Sequence, residues 1–84
     1  MSAGALDAVE ARALVAIALY RREHGEGPPW RLIAKVTGWS EAELGVRMRR
    51  LRKARFIWFS LEPGSVRVKS WGLKLALGQL KDQR

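Results

Sequence analysis

Apolar residues near the start of the chain recur at three- and four-residue steps. Leu6, Val9, Ala13, Ile17 and Tyr20 fall on one side of a helix that the spacing predicts over about residues 5–24, with that side turned to a core. Asp7 or Ser2 is placed to cap it. Ala8, Ala11, Val15 and Leu19 lie on the opposite side, so the helix is apolar nearly all round between Ala13 and Tyr20. A helix of this kind is sandwiched between partners. Its second partner is either the chain's own C-terminal helix or a second copy of the protein, which would make a homodimer through helix 1 and the C-terminal helix.

Gly25-Glu26-Gly27-Pro28-Pro29 leaves that helix no route to continue. Pro29 suits the first position of a second helix over about 29–37, with Leu32, Ile33 and Val36 inward and Ala34 small where two helices cross. Gly38 can take the left-handed conformation that ends a helix. Ser40 then opens a third helix, over about 40–54, and Ser40 with Glu43 has the spacing of a capping box. Leu44, Met48 and Leu51 share its inner side, while Ala42, Val46, Arg49 and Lys53 lie opposite, with Gly45 and Arg50 at the edges. Two helices joined by a short glycine turn, the second one basic, form a helix-turn-helix candidate.

The stretch 56–69 predicts a hairpin. Phe56 to Leu61 is rich in aromatic and branched residues, Ser65 to Lys69 alternates, and Pro63-Gly64 suits the centre of a type II turn. The alternation points Val66 and Val68 inward and Arg67 and Lys69 outward. A last helix over about 70–81 is opened by Ser70, with Leu73, Ala76, Leu77 and Leu80 as its apolar stripe and Leu75 off it. The fold class expected is mainly α with a small β-hairpin: a winged helix-turn-helix with a three-helix core, a wing and a C-terminal helix, in one domain over residues 1–84.

Charge gives this pattern a direction. The net charge is +8, and it is unevenly placed. Up to Pro29, Arg12, Arg21 and Arg22 are outnumbered by Asp7, Glu10, Glu23 and Glu26, whereas from Trp30 onward thirteen Lys or Arg face four acidic residues. The run Arg47 to Arg55 holds no acidic residue at all. A solvated helical face ordinarily mixes signs to form i, i+4 pairs, so a run of like charges points to an anionic ligand. The expectation is a face of unpaired, outward-turned cations that meets a duplex groove.

Each residue of that face has an expected part. Ser40 starts the helix beside the backbone, and the small Ala42 and Gly45 let it approach the bases closely. Val46 offers an apolar surface to a thymine methyl, and Arg49 is the base-edge reader, with guanine its expected target. Arg50, Arg52 and Lys53 serve as phosphate contacts, and Arg67 and Lys69 from the wing touch a phosphate or the edge of a minor groove. Arg47 and Arg55 lie nearer the buried side and are divided between structural and binding roles. Trp30 and Trp39 are read as core anchors, and Trp58 either covers the hairpin or touches a sugar and phosphate.

Other chemistries lack their residues. The chain has one histidine and no cysteine, no phosphate-cradling glycine loop and no paired carboxylates in an apolar setting, so no catalytic, metal or cofactor site is expected. His24 suits a helix C-terminus. The longest apolar stretch, Ala13 to Tyr20, is too short to span a bilayer and no leader is evident, so no membrane partner is expected and the location expected is cytoplasmic and nucleoid-associated.

Gly25 to Ala34, followed by Val36-Thr37-Gly38-Trp39-Ser40 and then Met48-Arg49-Arg50-Leu51, resembles the N-terminal winged-helix domain of LexA-type repressors. Val68-Lys69-Ser70-Trp71-Gly72-Leu73 is similar to the wing exit and last helix start of MarR- and PadR-type regulators. The resemblance implies a winged-helix protein that binds double-stranded DNA with the helix 40–54 in the major groove, commonly as a dimeric transcription regulator or repressor. The chain departs from it at Trp39, where a small aliphatic residue is usual, and at Arg55, where a helix-ending glycine is common. No LexA-type protease domain is expected to follow, and hence no self-cleavage. The alternative function is a winged-helix protein-interaction module that acts on the transcription machinery without reading DNA.

Overall fold

The computed structural model describes residues 6–81. Among these, four helices and one hairpin follow in order: α1 Ala8–His24, α2 Trp30–Thr37, α3 Glu41–Lys53, β1 Ile57–Trp58, β2 Arg67–Val68 and α4 Ser70–Lys81. The protein is thus mainly helical with a two-stranded antiparallel sheet.

Local caps set the helix ends. At α1 the Glu10 amide donates to Asp7 Oδ1 (2.7 Å) and the Asp7 amide donates to Glu10 Oε1 (3.1 Å), a complete capping box. The helix therefore begins at Ala8, and the expected start at residue 5 and the cap at Ser2 lie outside the described residues. Pro29 is the N-cap of α2, in extended conformation, one position before the helical place expected of it. Gly38 ends α2 at φ 80°, its amide donating to the Ala34 carbonyl (2.8 Å). Three residues, Gly38 to Ser40, then join α2 to α3, and the Ser40 hydroxyl accepts from the Glu43 amide (3.1 Å), one half of the expected capping box, while the Glu43 carboxylate meets Arg47 instead.

The end of α3 departs from the glycine rule. Arg55 sits at φ 68°, with its amide donating to Arg52 and the next amide, of Phe56, to Leu51, both at 3.0 Å. This is the paired-bond helix ending that usually places glycine at the left-handed position. Buried Leu51 and Phe56 supply its apolar contact.

α1 runs through the centre, with α4, α2 and β2 packed around it. Ala11, Ala13, Leu14 and Ile17 of α1 are buried against Ile33, Trp39, Leu44, Met48, Leu51, Phe56, Ile57, Val66 and Ala76. The expected inner face of α1 was incomplete, because Ala11 and Leu14 are also fully buried. The reason is α4, which covers the second side of α1 within the same chain. Its buried positions are small, Gly72 and Ala76, and a Cβ on Gly72 would stand 3.1 Å from the carbonyl oxygen of Phe56, the residue before β1. Leu77, expected in the stripe, is instead 51% exposed, and Leu73 and Leu80 are only half-buried.

The hairpin pairs Ile57 with Val68 and Trp58 with Arg67. Gly64 at φ 77° and the Ser65 amide donating to Glu62 (3.3 Å) form the expected type II turn. Val66 is buried and Arg67 exposed, while Val68 and Lys69 are both half-buried, so Lys69 is less outward than the alternation suggested. The tip is strapped to the body. The Gly27 amide donates to the Gly64 carbonyl (2.8 Å), and Arg21 Nη1 donates to the carbonyls of Gly64 and Val66, each at 3.4 Å. A Cβ on Gly27 would collide with the Val66 carbonyl oxygen.

Candidate nucleic-acid interface

α3 carries the candidate surface because its other side is fixed in the core. Leu44, Met48 and Leu51 are buried, which turns Ala42, Val46, Arg49 and Lys53 to solvent; all four are exposed, Val46 by 57%. Gly45, half-buried, lies under Arg49: a Cβ there would stand 3.5 Å from Arg49 Nη1. Small residues in the first two turns thus leave room over the helix backbone, and Arg49 folds back into that room. Ser40 is exposed, with its hydroxyl engaged as the N-cap.

Aromatic rings orient two further cations. The Arg52 guanidinium lies 5.0 Å from the Phe59 ring centre, which ties the last turn of α3 to the hairpin. Across the strand pair, Arg67 lies 5.3 Å over Trp58, itself 39% exposed. Trp39 is buried beneath Arg47 (5.6 Å), and Trp30 meets Phe59 edge-on at 5.0 Å, so these two tryptophans are core anchors. His24 stands in the last turn of α1 with its ring 4.2 Å from that of Tyr20.

The run 47–55 is not uniformly unpaired, which corrects the expectation. Arg47 Nη1 meets Asp7 Oδ2 at 2.8 Å and Glu10 Oε2 at 3.1 Å, and its Nη2 meets Glu43 Oε2 at 3.4 Å. Arg50, expected at a phosphate, pairs with the same Glu10 Oε2. Glu10 has no exposed surface, yet both its oxygens are satisfied, by the Asp7 amide and the two guanidiniums. The expectation missed this acidic pair because Asp7 and Glu10 lie 40 and 37 residues before Arg47 in the chain. Its only trace in the sequence is the acidic excess of the first part.

Burial alone would raise the Asp7 pKa, but the Glu10 amide and Arg47 outweigh it and hold the carboxyl below its ordinary value. Hydrogen bonds to Glu10 and Asp7 push Arg47 further up. The remaining cations of the run, Arg49, Arg52, Lys53 and Arg55, are exposed and form no ion pair among the described residues.

Among the described residues no group of three or more His, Cys, Asp or Glu is placed to hold a metal ion, and no helix is long and apolar enough to cross a membrane. Comparison with protein-family models, with curated proteins and with solved structures found no match to this chain.

Proposed function

We propose that the chain is a small sequence-specific double-stranded DNA-binding protein of winged helix-turn-helix type, acting in transcription regulation, with α3 as the recognition helix. The observation that carries this reading is the outward face of α3. Two small residues, an exposed valine and the exposed Arg49 and Lys53, which form no ion pair among the described residues, share one side of a helix whose other side is locked in the core. In a major groove, Ala42 and Gly45 permit close approach, Val46 meets a thymine methyl and Arg49 extends from over Gly45 to a guanine edge. Lys53 and Arg52 then lie toward the backbone. On the hairpin, Arg67, its guanidinium over the Trp58 ring, meets a phosphate, with Lys69 beside it.

A second reading has its own support. An apolar groove of about 230 Å³ between α1 and α2, with Leu19 and Val36 exposed at it, favours contact with a protein. Fluorescence anisotropy of a labelled duplex against salt separates the two. DNA binding requires affinity to fall by about 0.9 log units per log unit of salt for each phosphate neutralised. An unshifted duplex at low salt would leave the protein-interaction reading.

A further inference from the structure

We infer that Arg21 is a positioning residue for duplex binding: from the last turn of α1 it fixes the hairpin backbone beside Arg67, so that this cation meets a phosphate already in place. This rests on the DNA-binding reading above.

The hairpin has little of its own to hold it. It is two residue pairs long, and a hairpin of that size is marginal in water unless something outside it fixes it. Arg21 Nη1 donates to the carbonyls of Gly64, at the turn, and of Val66, the residue before Arg67. The Gly27 amide reaches the same Gly64 carbonyl (2.8 Å), and the Val66 backbone and side chain fill the space over Gly27. Glu26 lies against Gly64, where a Cβ would stand 3.3 Å from its side chain. The end of α1 and the segment after it thus grip the turn and the entry to β2.

Arg21 is suited to a local task. It is half-buried and forms no ion pair among the described residues, so its guanidinium serves the two carbonyls. At 3.4 Å both bonds are long, which limits their part in global stability and leaves their effect on the hairpin. Lys69 is fastened separately, by its amide donating to the Phe56 carbonyl (2.9 Å), so the strap acts on Arg67. Released from it, Arg67 would have to be ordered as the duplex binds, and that ordering lowers the affinity. The loss has a ceiling, since it cannot exceed what the Arg67 contact itself contributes.

The test is a double-variant cycle in the full chain, with affinity for a random-sequence duplex read by anisotropy at about 0.1 M salt. A slope of about 0.9 makes one phosphate contact a factor of roughly 8 at that salt, the loss expected of Arg67→Ala. Arg21→Met should weaken binding roughly 3- to 8-fold, no more than Arg67→Ala does, and should cost nothing further in the Arg67→Ala background. Arg21→Lys keeps the charge but ends one atom short of carbonyls already 3.4 Å away, and it should show a smaller loss of the same pattern. An equal loss from Arg21→Met with and without Arg67 puts Arg21 on a phosphate itself and overturns the inference. So does undiminished binding by both Arg21 variants, or by Arg67→Ala. Should Arg21→Met fail to fold, the Arg21→Lys cycle decides: a loss confined to the chain with Arg67 upholds the inference, and no loss or an equal one overturns it. Those results, with duplex binding by the unaltered chain intact, overturn this inference alone. Absence of any salt-dependent duplex binding by the unaltered chain overturns the DNA-binding reading, and the inference with it.

Discussion

Arg47 of α3 and Glu10 of α1 stand 3.1 Å apart across 37 residues of sequence, and the contact pins the basic helix to the central one. The two partners are unequal, since Glu10 is without exposed surface while Arg47 still reaches water. Removing the arginine therefore weakens the neutralisation of a buried carboxylate, whereas removing the carboxylate's charge leaves guanidiniums that solvent can hydrate. Arg47→Met should cost about 2 kcal/mol of stability and Glu10→Gln about 1 kcal/mol, read from urea unfolding midpoints at constant slope. Equal losses would contradict this asymmetry.

Asp7 makes the same cluster sensitive to acid. Its folded pKa lies below the unfolded value, so its contribution is fully present above about pH 4 and is lost as the pH falls through the folded value. The Tm difference between the unaltered protein and Asp7→Asn should accordingly be constant near neutrality and shrink below about pH 4. A difference that grows on acidification would contradict the ion-pair account.

Helix boundaries were legible because their causes are local. Asp7 with Glu10, Gly38 with Ala34, and Ser40 with Glu43 each act within three or four residues, and Pro63-Gly64 fixes its own turn. The faces of α1 were not, because a helix apolar all round carries no period by which to choose between Tyr20, which is half-buried, and Ala11 or Leu14, which are fully buried. That choice is made by α4, which packs along α1, and the same packing leaves Leu77 outside. For the candidate site, the positions of Ala42, Val46, Arg49 and Lys53 followed from the apolar stripe alone. The capture of Arg50 did not, since it depends on how α1 lies against α3.

Arg55 holds a left-handed backbone, at φ 68°, that costs a side-chain-bearing residue about 1 kcal/mol or more. Arg55→Gly should stabilise the protein by roughly 0.5 to 1 kcal/mol once the greater freedom of glycine in the unfolded chain is set against the relief. Thermal melting at fixed pH checks it. A lowered Tm would show that the Arg55 side chain contributes more to the fold than its backbone costs.

Gly45 separates stability from binding. Alanine there would meet Arg49 at an ordinary contact distance and remove a glycine from a helix interior, so Gly45→Ala should raise stability by about 0.5 to 1 kcal/mol. On duplex DNA the added methyl occupies the room used for close approach, and affinity should fall several-fold. A variant both more stable and equally tight in binding would remove Gly45 from the interface.

The outward face of α3 is tested most directly at Arg49, by competition between a duplex selected from a random library and its scrambled counterpart. Arg49→Ala should cost roughly 1 to 3 kcal/mol on the selected duplex and relax the preference at one base pair, while Lys53→Ala weakens both duplexes alike. Equal losses on the two duplexes for Arg49→Ala would contradict the assignment of α3 as the element that reads the bases.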